Sequence, residues 1–220
     1  MINSEEQNSM LLDISRQLKK EITAFAIGGT AMMFLGLKDS TKDIDLVFSS
    51  KEDRASFIKA AKNAGWLDLD ARIVYGEREN IPIMLKFGDS RLDLFVNEVI
   101  DFLFSKQMQE RAEKIRQFEK NLILKVADVH DIIVMKCAAG RAKDIDDARA
   151  IIEKNVINFD ILVQEAKNQL SLGKERAILE VGTFLEKLQK LKLDIPNGIL
   201  DKLWDLLNEQ IKAKRKKMIR

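Results

Sequence analysis

Ile22-Thr23-Ala24-Phe25-Ala26-Ile27-Gly28-Gly29-Thr30 opens, and Thr41-Lys42-Asp43-Ile44-Asp45-Leu46-Val47-Phe48 closes, the stretch whose reading decides the fold. The first half is a continuous apolar run, as expected of a buried strand. It ends in a glycine pair, where backbone N–H groups can approach a phosphate closely. Thr30 to Leu37 then reads as a short buried helix closed by Gly36. Asp43 to Ser49 alternates and is β-branched enough for a second strand. Asp43 and Asp45 stand two apart, so on a strand they share a face with Cα atoms about 6 to 7 Å apart. Ile44 then points into the core. Two carboxylates so placed suit one or two magnesium ions, which take oxygen ligands and keep water and phosphate oxygens. The glycine turn at a helix N-terminus offers unpaired N–H groups and a positive dipole end to the β- and γ-phosphates of a nucleoside triphosphate. Thr30 adds a hydroxyl donor.

Outward from this stretch, Met10, Leu11, Ile14 and Leu18 recur at helical spacing behind a polar start. Ser50, with Asp53 three residues on, starts a helix with Phe57, Ile58, Ala61 and Ala64 on its apolar face and Gly65 at its end. Arg72 to Tyr75, Ile81 to Phe87 and Leu92 to Val96 read as three further strands, the last two a hairpin through Gly88-Asp89-Ser90. Asp93 stands between Leu92 and Leu94 and so faces away from its apolar neighbours. It is the third carboxylate that a metal site of this kind needs, and the best candidate to take the proton from an acceptor hydroxyl. Leu67-Asp68-Leu69-Asp70 has the same D-x-D spacing but no glycine turn before it. We read it as the exposed face of a strand or turn.

A charged helix is expected near Gln107 to Phe118, then a short strand at Leu122 to Val126. From Asp128, read as a helix cap, the pattern is helical almost without break. Successive apolar stripes are Val129, Ile132, Ile133 and Cys137; Ala148, Ile151 and Ile152; Leu162, Ala166 and Leu170; Ile178, Val181, Leu185 and Leu188. Pro196-Asn197-Gly198 interrupts the chain, and Leu200, Leu203, Trp204, Leu207 and Ile211 form a last amphipathic helix. The expected architecture is α+β: a mixed β-sheet domain over residues 1–127 followed by a helical domain over 128–220.

Composition narrows the chemistry. With 46% hydrophobic and 33% charged residues in 220, the chain has the make-up of an ordered protein with a sizeable core. A single cysteine, Cys137, excludes an intramolecular disulfide and a cysteine zinc site, and a single histidine, His130, excludes a multi-histidine metal site. Acid–base or metal work falls to carboxylates and lysines. We expect Cys137 in the core and His130 as a partly exposed structural residue. The N-terminus lacks an apolar signal segment and no run reaches membrane-span length, so a cytoplasmic protein without membrane contact is expected. The net charge of +2 says little, but Lys212, Lys214, Arg215, Lys216, Lys217 and Arg220 make a basic tail that could contact RNA phosphates.

The Ala26-Ile27-Gly28-Gly29-Thr30 run, the Thr41 to Val47 strand and the later Asp93 resemble the nucleotidyltransferase superfamily related to DNA polymerase beta. Threonine replaces the usual serine after the glycines and keeps the hydroxyl. The block Val134-Met135-Lys136-Cys137-Ala138-Ala139-Gly140-Arg141-Ala142-Lys143-Asp144-Ile145-Asp146-Asp147 is similar to that of the AbiEii-like, abortive-infection branch, matching at Lys136, Ala139, Arg141, Lys143, Asp144 and Asp147. The resemblance covers about residues 20–155. It implies a nucleotidyltransferase-fold catalytic domain and a helical domain. The activity implied is magnesium- (or manganese-) dependent transfer of a nucleoside monophosphate from an NTP to a hydroxyl. Asp43, Asp45 and Asp93 would be the catalytic metal ligands, and Gly28, Gly29, Thr30, Lys136, Arg141 and Lys143 the nucleotide-binding residues, with Asp144 orienting them. The acceptor would be RNA (tRNA among them) or protein. An antitoxin partner follows if the chain is the toxin of a pair. The rival expectation is a non-catalytic nucleotide-binding regulatory module.

Overall fold

Asn3 sets the first helix by a reciprocal cap. Its side chain accepts the Glu6 N–H at 2.9 Å, and Glu6 accepts the Asn3 N–H at 2.8 Å. Helix α1 therefore runs Ser4–Arg16, after the two-residue strand β1, Ile2–Asn3. The computed structural model describes residues 1–77 and 80–218, the side chains of 217 and 218 excepted. It divides into two compact units, Met1–Asp128 and Val129–Arg220.

In the first unit the apolar run becomes β2, Ile22–Ala26, followed by α2, Gly28–Phe34, and β3, Ser40–Thr41, which pairs with β1. The Asp-x-Asp segment is β4, Asp43–Phe48. Ser50 accepts the Asp53 N–H at 3.0 Å and so starts α3, Lys51–Asn63. Then come β5, Leu67–Leu69, and α4, Arg72–Tyr75. Strands β6, Ile83–Phe87, and β7, Ser90–Val96, form the expected hairpin. Two short strands, β8, Glu98–Val99, and β9, Phe102–Leu103, precede α5, Lys106–Arg111. Finally β10, Lys114–Phe118, turns back on β11, Leu122–Val126.

The main sheet runs β10-β11-β2-β4-β7-β6-β5, with β8 and β9 extending from β7. It is mixed: β2 is parallel to β11 and antiparallel to β4, while β4 is parallel to β7. The two strands that carry the carboxylates are thus adjacent and central. Ile44, Leu46, Leu92 and Leu94 are fully buried, and Phe57 of α3 meets Phe48 of β4 with ring centroids 5.4 Å apart. Losing a fully buried phenylalanine such as Phe57 to alanine costs about 3–5 kcal/mol, so the sheet floor beneath the site is stiffly held.

Two expectations are corrected. Arg72 to Tyr75 is one helical turn and not a strand. The Asp70 carboxylate accepts the Arg72 N–H at 2.9 Å and starts the turn, overriding the β-branched character of Ile73 and Val74. The charged stretch expected as one helix over 107–118 is the short α5 followed by edge strand β10. Charges there guard a sheet edge, where only Phe118 is buried. The Asp68 strand is an exposed edge, as read from the sequence.

The second unit is all helical: α6, Val129–Ala139; α7, Ala142–Lys154; α8, Phe159–Ser171; α9, Ala177–Lys190; and α10, Asn197–Met218. Ile132, Ile133, Ile151, Leu162, Ile178, Val181, Leu185 and Leu188 fill its core. Cys137 is buried among them, and the His130 Nε2 accepts the Asn158 N–H at 3.0 Å. No helix among the described residues is long and apolar enough to cross a membrane.

Candidate active site

The parallel register of β4 and β7 sets Asp45 directly opposite Asp93 and Asp43 opposite Arg91. Because side chains alternate along a strand, Asp43, Asp45, Arg91 and Asp93 emerge on one face. One carboxylate oxygen from each of Asp43, Asp45 and Asp93 lies within 4.8 Å of the others. Asp93 is fully buried, Asp43 nearly so, and Asp45 half-buried.

Gly28 and Gly29 let helix α2 start against this face. Gly28 has φ +55°, and a Cβ on it would stand 2.9 Å from Asp45 Oδ2. A Cβ on Gly29 would come within 2.5 Å of Thr41 Oγ1. No side chain larger than hydrogen fits at either place without movement. The first-turn N–H groups of α2 have no partner inside their own helix.

Thr30 is placed differently from expectation. It is fully buried, and its hydroxyl accepts the Asp45 N–H at 2.8 Å and reaches the Asp43 carbonyl at 3.5 Å. Here the hydroxyl fastens α2 to β4 beneath the carboxylates.

Two further side chains complete the cluster. Arg91 donates through Nε to Asp93 Oδ1 at 2.9 Å, and its Nη2 bonds Asp43 and lies 3.4 Å from Asp93 Oδ2. Tyr75, from α4, donates its phenolic proton to Asp93 Oδ2 at 2.6 Å. Arg91 was legible in principle, since it stands two residues before Asp93 and must share its face. Tyr75 carried no such signal, because α4 read as a strand.

The charge states follow from this geometry. Burial pushes the Asp93 carboxyl above the usual carboxylate range, against the opposing pull of Tyr75 and Arg91. Burial, then the charges of Asp45 and Asp93, push the Tyr75 phenol well up, so it is a hydrogen-bond donor at any physiological pH. Burial disfavours the Arg91 charge, but Asp93 and Asp43 outweigh it and raise its pKa. Beside Arg91 opens a depression of about 450 Å³ lined by Lys42, Lys86 and Ser90 among others.

The Lys136 block lies wholly in the helical unit. Lys136 is 5% exposed and turned inward, bonding Asp147 and lying 3.3 Å from Asp144. Asp144 accepts the Arg141 N–H at 3.0 Å and its Nε–H at 2.9 Å. Lys136 thus fastens α6 to α7, while Arg141 and Lys143 are exposed. In the basic tail, Lys212, Lys214, Arg215 and Lys216 are exposed and Lys214 pairs with Glu175 at 2.6 Å. Arg220 and the Lys217 side chain lie outside the described residues.

Asp43, Asp45 and Asp93 together could hold a divalent metal ion, and an all-oxygen, anionic donor set is the kind that magnesium or manganese takes. Comparison with known proteins gives the family. Among solved structures, that of ANT(2")-Ia in complex with adenylyl-2"-tobramycin aligns with TM-score 0.46 at 18% identity, over 82% of this chain and 98% of the other. An H. pylori protein assigned as a nucleotidyltransferase aligns with TM-score 0.42 at 16% identity, over 86% and 97%. Neither likeness bears on activity. No curated protein matches. The sequence model of a nucleotidyltransferase family of unknown function (DUF6036) matches residues 6–190, and the chain belongs to that family.

Proposed function

We propose that this nucleotidyltransferase joins the nucleoside monophosphate of an NTP to a hydroxyl on RNA or protein, using Asp43, Asp45 and Asp93 as its catalytic carboxylates. The observation that carries the reading is the convergence of those three carboxylates within 4.8 Å, beside the Gly28-Gly29 turn.

The acceptor oxygen forms a bond to the α-phosphorus. The bond from that phosphorus to the α,β-bridging oxygen breaks, and pyrophosphate leaves with the electron pair. The acceptor proton passes to Asp93, whose burial raises its affinity for a proton and suits it as the base. Backbone N–H groups at Gly28 and Gly29 hold the β- and γ-phosphates, where any side chain would collide with Asp45 or Thr41. Thr30 keeps Asp45 in register by its buried hydrogen bond. Magnesium or manganese held by the three carboxylates would supply neutralising charge to the triphosphate and acidity to the acceptor hydroxyl.

Resemblance of the Lys136 to Asp147 block, which gives Lys136, Arg141 and Lys143 as nucleotide contacts with Asp144 orienting them, supports Arg141 and Lys143 as phosphate contacts. The burial of Lys136 against Asp144 and Asp147 suits it to positioning them. The same resemblance supports a toxin role, with an antitoxin as partner. Growth arrest on expression that depends on Asp43 and Asp45 would support it, and harmless expression would remove it.

The test is incubation of the purified chain with each α-labelled NTP, a divalent metal and whole-cell extract, followed by separation of labelled RNA from labelled protein. Label in one fraction, dependent on metal, is expected. Absence of label from both refutes the reading.

A further inference from the structure

We propose that Tyr75 is itself a nucleotide acceptor, so that the enzyme places a nucleoside monophosphate on its own phenol. The inference rests on the nucleotidyl transfer proposed above and adds a substrate to it. An acceptor hydroxyl must do one thing before it attacks: give a hydrogen bond to the base that will take its proton. Tyr75 already does so, its Oη lying 2.6 Å from Asp93 Oδ2.

The phenol is held there by more than one contact. Its ring meets Phe95 edge-on, with centroids 6.4 Å apart at 89°. Phe95 stands two residues after Asp93 on β7, so ring and hydroxyl are fixed by the same face of one strand. Asp43 and Asp45 bring their oxygens within 4.8 Å of the Asp93 oxygen. A triphosphate directed at this cluster is therefore directed at the Tyr75 oxygen too. Holding reactants at such range replaces a bimolecular encounter with an intramolecular one.

The step balances as the general reaction does. The Tyr75 Oη forms a bond to the α-phosphorus of the NTP, and the bond to the α,β-bridging oxygen breaks. Pyrophosphate leaves with the electron pair, and the phenolic proton passes to Asp93. The product is a phosphodiester between tyrosine and nucleoside. With Tyr75 so modified, the attached nucleoside monophosphate sits beside the carboxylates that a further NTP must reach, and the enzyme turns itself down.

Tyr75 is the single tyrosine of the chain, which makes the test direct. The full chain is incubated with each NTP and magnesium or manganese without other acceptors, then measured as intact protein and as mapped peptides. The expected result is one nucleoside monophosphate per chain, on the peptide holding Tyr75. At least tenfold less should appear on Tyr75→Phe and on the Asp43→Asn, Asp45→Asn double variant. A parallel reaction with cell extract separates the two claims. Labelled extract acceptors with bare Tyr75 overturn the self-modification and leave nucleotidyl transfer standing. No label anywhere overturns both, and label on another residue overturns the assignment to Tyr75. Should Tyr75→Phe fail to fold, peptide mapping of the unaltered chain decides alone.

Discussion

Replacing Arg91 with alanine removes a guanidinium that bonds both Asp43 and Asp93. Asp93 has no exposed side-chain surface, while Asp43 and Arg91 keep 12% and 22%. Removing one partner of a buried pair costs about 3–5 kcal/mol, because the other charge is left stranded. The lower end applies here, since Arg91 is partly wetted and Tyr75 still donates to Asp93. A loss of about 3 kcal/mol lowers the melting temperature by about 6–12 °C for a chain of this size. The assay is thermal unfolding in EDTA, followed by fluorescence of the buried Trp66 in a Trp204→Phe background that silences the helical unit. Repeating it in magnesium gives the second half of the prediction. In the parent the cation must displace Arg91 from its carboxylates, whereas in Arg91→Ala it replaces a missing charge. The variant should therefore gain more from magnesium than the parent does. A loss under about 1 kcal/mol in EDTA, the worth of a surface pair, would refute the reasoning. Equal gains from magnesium in both proteins would refute it as well.

Thr30→Val leaves the Asp45 N–H without its 2.8 Å partner, at a cost of about 1–3 kcal/mol, whereas Thr30→Ser keeps the bond. Denaturant unfolding and magnesium titration should both separate the two variants. Gly29→Ala drives a Cβ to 2.5 Å from the buried Thr41 Oγ1, and overpacking of that kind costs about 1–3 kcal/mol. The same assays should show it weaker than the parent in both stability and metal binding. In the helical unit, burial alone would raise the Asp144 carboxyl. The hydrogen bonds from Arg141 and the charge of Lys136 win and hold it below the usual range. Its stabilising effect is therefore full above about pH 4, the ordinary carboxylate value, and fades as pH falls through the depressed folded value. Circular dichroism of the unfolding transition should show this acid loss in the parent and a flatter profile, from a lower start, in Asp144→Asn.

The central sheet was legible because its signals were redundant. Ile22–Ala26 is apolar throughout, and the Asp43–Phe48 and Ser90–Val96 strands alternate their carboxylates against Ile44, Leu92 and Leu94. The same period-2 rule puts Asp43, Asp45 and Asp93 on one face from sequence alone, and applied to Arg91, two residues before Asp93, it would have found that residue too. Other placements depended on contacts that local sequence does not carry. Ile73 and Val74 argue for a strand, yet the Asp70 side chain starts a helical turn, and that turn delivers Tyr75 to Asp93. Residues 107–118 have the charge content of a surface helix and of a guarded sheet edge alike. Pairing with Leu122–Val126 decided for the edge strand over its second half. From its position after the glycines Thr30 reads as a phosphate donor, and its buried hydrogen bond with the Asp45 N–H is a contact that local sequence does not carry.

Nucleotide transfer by the Asp43→Asn, Asp45→Asn double variant, compared with the parent at saturating magnesium and α-labelled NTP, tests the active site most directly. Both proteins should first be shown folded by their unfolding transitions. The carboxylates of β4 are assigned the metal and the triphosphate, so transfer and pyrophosphate release should fall by at least a hundredfold. A folded double variant that still transfers label at the parent's rate would contradict the assignment of the active site.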